Sequence, residues 1–463
     1  MAQSCSCNDF NRAQLLRAGI ARAGRGLPSI EPGMPVPAGT GLDRRTFIAR
    51  GVGLALAVYG GAALRPELFD EGIAAAAAAA PQRKVLVSVF LDGGADALSL
   101  LAPTGDPLYR KLRPRLALSE GAGPAFAEDG TLSWHPSLAP LAELHGEGKV
   151  SVMPGIGYDH PNQSHFTSRH FWEVGAADER LVTGWLGRYL DRDGSKDNPL
   201  QGLSLDGSLQ PSLATAKMPV AAVDAPDSYD FWARGVWGEV SERMVAMIGR
   251  LGALPTHHDP GLEAAADAAR QSARLYEQLT PFRPKGDKKP PPGPVAYPES
   301  NDAFPRRLAG LAAMLTAGMP LHVVALSAPG GYDTHDNQAA DLADDLKLTA
   351  DSLLAFQRDL EARGLADRVL VHVWSEFGRR AKENGSGGTD HGAAGTGFLI
   401  GSRVAGTMVG EFPGLARLDA DGNLRATADF RGLYSALIED WLGGDATAII
   451  PGAGKFRRPK ILK

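Results

Sequence analysis

Apolar residues fall in short, nearly unbroken runs. Lys84–Leu91 is apolar at every position after its first except Ser88. Runs of this kind predict strands buried on both faces, as in a parallel sheet. The same reading applies to Lys149–Met153, Leu321–Leu326, Arg368–Trp374 and Gly397–Ile400. Between them lie longer stretches whose apolar residues recur every three or four positions: Ser137–Gly146, Gly261–Leu279, Asp302–Ala317 and Asn337–Arg363. These predict helices. In the last, Asp341, Asp344 and Asp345 crowd the early turns, where a helix dipole favours acids. Strands alternating with helices predict an α/β fold: a doubly wound, mostly parallel sheet with helices on both faces. Pro281–Pro298 holds seven prolines around a lysine-rich middle and reads as a solvated loop inside that domain.

Composition narrows the class. The 463 residues carry a net charge of −5, against the basic surplus of a nucleic-acid binder. Both cysteines, Cys5 and Cys7, precede residue 80. The remainder therefore has no disulfide, no thiolate metal ligand and no cysteine nucleophile.

Residues 1–80 read as an address, leaving 81–463 as a single domain. Asp43-Arg44-Arg45-Thr46-Phe47 precedes a short, weakly apolar, Gly/Ala-rich run ending near Leu64, and Ala74–Ala80 offers small residues for cleavage. This order resembles a twin-arginine export signal, implying use of the twin-arginine machinery and a periplasmic or extracellular product. The run is too short for a comfortable membrane span of about 20 residues. No stable span is expected after processing.

In open α/β sheets ligands bind at the carboxyl ends of strands. Here those ends are rich in acids and imidazoles. Asp92 and Asp96 follow the first strand, and a polar loop holding Ser164 and His165 follows the second. Asp333 and His335 follow the third, Glu376 and Arg379 the fourth, and Asp390 and His391 precede the fifth. Carboxylates with imidazoles suit Zn²⁺ or Mn²⁺, and all-oxygen subsets suit Ca²⁺ or Mg²⁺. One or two divalent ions are expected, with Asp92, Asp96, Asp333, His335, Glu376, Asp390 and His391 as candidate ligands.

Several segments resemble a secreted bacterial family of unknown function within the alkaline phosphatase–sulfatase superfamily. They are Phe90–Leu98, Asn162–Phe166, Gly330–His335, Ser375–Arg379 and Thr389–Gly392, with Gly184–Arg188 and Asp429–Tyr434 beside them. The resemblance implies an alkaline-phosphatase-like fold, one or two metals and a hydroxyl nucleophile at a helix start. Asp96 matches the family's Gly-Gly-x-Asp pattern, whereas Asp92 stands where the wider superfamily places its acid. Ser164 falls in the nucleophile region. The Asp333/His335 pair has one intervening residue in place of three. Phe377 replaces an imidazole of the superfamily, which weakens a second metal.

The implied chemistry is hydrolysis of a small-molecule or envelope ester of phosphate or a related acid. Ser164 would attack, His165 would act as acid or base, and Arg379 or Arg169 would clamp the anionic oxygens. Ser164 reads equally as a helix N-cap, and His372, inside a strand, as a core residue. A conventional sulfatase lacks its Cys/Ser-x-Pro-x-Arg signature here, and a lipase-like hydrolase lacks Gly-x-Ser-x-Gly. The alternative is a non-catalytic metal-binding envelope protein on the same fold. Replacing Arg44 and Arg45 with Lys is expected to trap the precursor inside the cell, as read by fractionation and immunoblotting; normal export contradicts the address.

Overall fold

The computed structural model describes residues 34–36, 38–39, 55–58, 83–224, 238–256, 260–282 and 293–463. Arg44 and Arg45 of the export signal and the lysine-rich middle of the Pro-rich loop lie outside the described residues.

Nine described strands form one sheet. Its order is Ala55–Val58, Val220–Val223, Gly202–Ser204, Val323–Ser327, Val85–Phe90, Val369–Trp374, Gly395–Ile400, Val150–Gly157 and Ala428–Asp429. Every pairing is parallel except those of Gly395–Ile400, which runs against both neighbours. Each of the five runs expected to be strands is one. The short strands Ala55–Val58, Gly202–Ser204, Val220–Val223 and Ala428–Asp429 were not expected; the first lies within the 1–80 segment read as an address and pairs in parallel with Val220–Val223.

Alternate residues of Val85–Phe90 feed two cores, because successive side chains in a strand point to opposite faces. Val85, Val87 and Val89 pack on one face, with Leu141, Leu311, Leu346 and Phe356 from helices Ala139–Gly146, Phe304–Thr316 and Gln338–Ala362. Leu86 and Phe90 pack on the other, with Phe171, Trp172, Leu186 and Tyr434 from helices His165–Val174, Trp185–Asp193 and Phe430–Ala436. The sheet is therefore covered on both sides, the doubly wound α/β arrangement. His372 is buried in its strand. Among the described residues no helix is long and apolar enough to cross a membrane.

One buried polar cluster braces the first strand's loop. Asp96 and Arg113 are both fully buried and form a two-pronged ion pair. Ser99 and Gln338 donate to the same carboxylate at 2.6 Å. Burial alone would push Asp96 up; the Arg113 charge and these hydrogen bonds outweigh it and hold the carboxyl below its ordinary value. A lowered folded pKa contributes stability above the unfolded value and loses it as pH falls through the folded one. Asp96→Ala is expected to cost about 3–5 kcal/mol in urea unfolding at neutral pH, because it strands a buried guanidinium. The variant's stability is expected to fall less than the parent's on acidification. Parent-like stability at neutral pH would show that the pair is not a brace.

Candidate metal centre

Val323–Ser327, Val85–Phe90 and Val369–Trp374 are adjacent in the sheet, so their carboxyl ends open side by side. Gly93 and Gly94 let the three following loops touch. Their φ values are +121° and +69°, which favour glycine. A Cβ on Gly93 would strike the Asp333 backbone, and one on Gly94 the Phe377 ring.

Two buried charges grip this glycine pair. Gly93 N–H and Gly94 N–H donate to the Glu376 carboxylate at 3.1 and 3.0 Å. Arg379 takes the carbonyls, donating to Gly94 O at 2.7 Å and to Gly93 O. It also donates to Tyr332 O at 3.1 Å, Thr389 O at 3.0 Å and Asp333 Oδ1 at 2.6 Å.

Above this base lie three imidazoles and one carboxylate oxygen. His165 Nε2 is 2.8 Å from His391 Nε2, and His335 Nε2 is 2.9 Å from the same atom. Asp333 Oδ1 lies 3.3 Å from His165 Nε2, 3.1 Å from His335 Nε2 and 3.3 Å from His391 Nε2. Ligand atoms of His165, Asp333 and His391 all lie within 4.8 Å of one another. Phe377 closes one side, its ring centroid 4.8 Å from His165 and 4.9 Å from His391.

The far side of two rings fixes what their near side offers. His165 Nδ1 is 2.7 Å from Glu376 Oε1, and His391 Nδ1 is 2.8 Å from Gln163 O. Both partners only accept, so each Nδ1 carries the proton. In the neutral rings both Nε2 atoms then point lone pairs at one another, beside an anionic oxygen. Such a group needs a positive charge at its centre, either a proton or a divalent cation. Anchoring of Nδ1 by a carboxylate or carbonyl is how proteins orient metal-binding histidines. The nitrogen-rich set with one carboxylate suits Zn²⁺ or another borderline cation better than Ca²⁺ or Mg²⁺.

The titration of these groups follows the same logic. Burial works to lower His165, but Asp333 and Glu376 prevail and raise it to about 9. Burial lowers His391 to about 4, helped by the charges of His165 and Arg379. Burial opposes ionisation of Asp333, yet the three imidazoles and Arg379 hold it far below the ordinary carboxylate range.

The expected site residues thus occupy different ranks. His165, assigned to proton transfer in sequence, sits with Asp333, His335 and His391 at the centre. Glu376 stands behind His165, and Arg379 stands behind Asp333. Asp390 is exposed on the outer side, 3.7 Å from His335 Nδ1. Asp92 faces Arg169 at 3.3 Å; its Oδ1 is buried with no hydrogen-bond partner among the described residues, and burial raises its pKa to about 6 against the pull of Arg169. Asp96 spends its oxygens on Arg113, Ser99 and Gln338. Arg169 is turned to Glu173 at 2.7 Å as well as to Asp92. Ser164 is the N-cap residue that precedes helix His165–Val174, and its side chain makes no cap bond to the helix. Sequence reading did not single out Gln163, whose contribution is a backbone carbonyl that any residue type would supply. It also assigned no role to Arg113 or Gln338, whose types alone carry no signal of the partner.

Fold and cluster together define an α/β protein with a buried histidine–aspartate centre suited to one cation. Residues 284–430 match a family model described as a protein of unknown function (DUF1501). No curated protein matches. Among solved structures, the chain is similar to a protein in the alkaline phosphatase superfamily from Vibrio parahaemolyticus, at 9% identity over 89% of this chain and 78% of that one, TM-score 0.31. It is also similar to the C-terminal periplasmic domain of EcEptC from Escherichia coli in complex with Zn, at 10% identity over 84% and 86% of the two chains, TM-score 0.35. A third is the PsFucS1 sulfatase from Pseudoalteromonas sp., at 13% identity over 82% and 72%, TM-score 0.30.

His391→Ala and Asp333→Ala are expected to abolish stoichiometric metal in protein purified and loaded with Zn²⁺, as measured by elemental analysis. Glu376→Gln is expected to weaken binding by about 10–100-fold, through the freed His165 ring. Parent stoichiometry and affinity in all three would remove the metal centre.

Proposed function

We propose that the protein is an exported, metal-dependent hydrolase of phosphate or related esters. The observation that carries this reading is the meeting of three imidazole Nε2 atoms with Asp333 Oδ1, directly beside Ser164 in the chain. His165, Asp333 and His391 would hold the cation, with His335 completing the set. When bound, the cation supplies positive charge that eases proton loss from a hydroxyl and screens the transferring group.

The chain's own groups do the rest. Glu376 keeps His165 in the tautomer with its lone pair inward, and Gln163 does the same for His391. Arg379 holds Asp333 ionised and in place. It is fully buried and each of its three nitrogens donates to a protein acceptor, so it positions the centre and does not clamp substrate. Ser164 Oγ attacks the phosphoryl group and the alcohol departs with a proton; water then releases phosphate and restores the serine. The N-terminus of helix His165–Val174 favours an anion at this position. Burial of the cluster limits competing water.

The inward commitment of Arg379 favours a second reading, a metal-binding envelope protein without turnover. Zn²⁺-loaded protein assayed on para-nitrophenyl phosphate and bis(para-nitrophenyl) phosphate separates the two. Ser164→Ala is expected to lower turnover by at least about 1,000-fold while bound metal stays at the parent level. Activity equal to the parent would exclude the serine. A fully loaded parent that hydrolyses neither ester supports the second reading.

A further inference from the structure

The described parts of the segment read as an export address are not set apart from the domain that follows. Ala55–Val58, inside the Gly/Ala-rich apolar run behind Arg44-Arg45, pairs in parallel with Val220–Val223, from Ala55 against Val220 to Val58 against Val223. Among the described residues it is the outermost strand of the sheet on that side. Upstream of the arginines, Ala38 is 2% exposed and shares a small apolar cluster with Val174, Ala176 and Ala214. Gly39 beside it donates its N–H to Val182 O at 3.0 Å. Its φ of +77° favours glycine, and a Cβ there would lie 3.0 Å from Ala214 Cβ. Met34 packs on Phe166, the residue after His165.

These contacts answer needs of the domain. Without Ala55–Val58, the strand Val220–Val223 would end the sheet on its side and leave a row of backbone N–H and C=O groups unpaired. Its four residues, Val-Ala-Ala-Val, bring no charge and no proline to blunt such an edge. Met34 and Ala38 lie by opposite ends of helix His165–Val174, which carries His165 of the candidate centre. In the chain, Arg44-Arg45 fall between the contact at residues 38–39 and the strand Ala55–Val58. A strand bonded along a sheet edge is not at the same moment free to be bound along its length by another protein. Use of this run as a sheet edge and use of it as an export signal therefore exclude one another.

We infer that the folded domain binds its own export signal in cis, through the sheet edge Val220–Val223 and the flank of helix His165–Val174, and that this contact delays export. The ligand of this surface is the chain's own leader, through Met34, Ala38, Gly39 and Ala55–Val58. The inference rests on the export reading for its consequence in the cell; the contact itself does not. The export machinery takes up the signal only while the contact is open, so the rate of uptake scales with the open fraction. Cleavage within Ala74–Ala80 removes the leader and with it the cover of the edge, so the contact belongs to the precursor.

Limited trypsin digestion of the purified full chain tests the contact, with cleavage after Arg44 and Arg45 followed by mass spectrometry. Ala38→Glu places a charge in the apolar cluster. Leu56→Pro/Ala57→Pro replaces two successive residues, one of which donates to the neighbouring strand. Every tryptophan lies beyond residue 80, so near-UV circular dichroism reports separately that the domain is still folded. Each variant is expected to raise the initial cleavage rate by about tenfold or more, because proteolysis follows the population of the open form. Rates equal to the parent's in both variants overturn the inference. Gel filtration of the full chain is expected to give a monomer; a dimer that dissociates in the variants puts the leader on a second copy and overturns the cis contact. In cells, Ala38→Glu leaves the arginine pair and the apolar run unaltered, and pulse-chase fractionation is expected to show it exported faster than the parent. Export at the parent's rate overturns the delay. A parent that is never exported overturns the address and the delay together, while the tryptic rates still decide the contact.

Discussion

The candidate centre depends on how one buried guanidinium is satisfied. Arg379 is fully buried and finds four backbone carbonyls and the Asp333 carboxylate. A buried charge is tolerated only when paired and fully hydrogen-bonded. These acceptors come from the loop after Val85–Phe90, the loop after Val323–Ser327 and the strand Thr389–His391. Satisfying Arg379 therefore brings three separate parts of the chain to one point. Glu376 makes the complementary demand on the amides of the same glycine pair. Gly93-Gly94 is held between opposite charges, and His165 and Asp333 are each aimed by one of them.

Much of the fold was legible because its central strands are buried on both faces. Val85–Phe90 and Val369–Trp374 read as continuous apolar runs, and their loops carry most of the site. The strands that escaped notice lie toward the edges of the sheet. Gly202–Ser204 is only three residues long, and Val220–Val223 has an alanine pair at its middle that suits helix as well as strand. The direction of Gly395–Ile400 also escaped, since an apolar run between two neighbours looks the same in either direction.

The site was legible in membership more than in rank. Acid and imidazole at strand ends single out the neighbourhood, but a carboxylate's partner is a matter of the third dimension. Asp96 and Asp333 look alike in sequence, each close behind a Gly-Gly pair. Arg113 neutralises the first, whereas three imidazoles surround the second. Glu376 likewise reads as a ligand until its oxygens are seen to accept from two amides and a histidine. His165 stood out as a proton carrier by type; only the fixed Nδ1 shows that its other nitrogen faces inward.

The reversed strand Gly395–Ile400 has a consequence for how the molecule can change over time. Because it runs against Val369–Trp374, the chain leaves the functional edge of the sheet and returns to it within about twenty residues, without crossing to the far side. Glu376, Arg379 and His391 all lie on that excursion. The segment is a cassette bounded by two hydrogen-bonded strands. Insertions beyond its hairpin tip, near Gly385–Gly387, would lengthen the rim of the centre and leave the sheet register untouched. Relatives with this topology have a ready place to remodel access to one constant cluster.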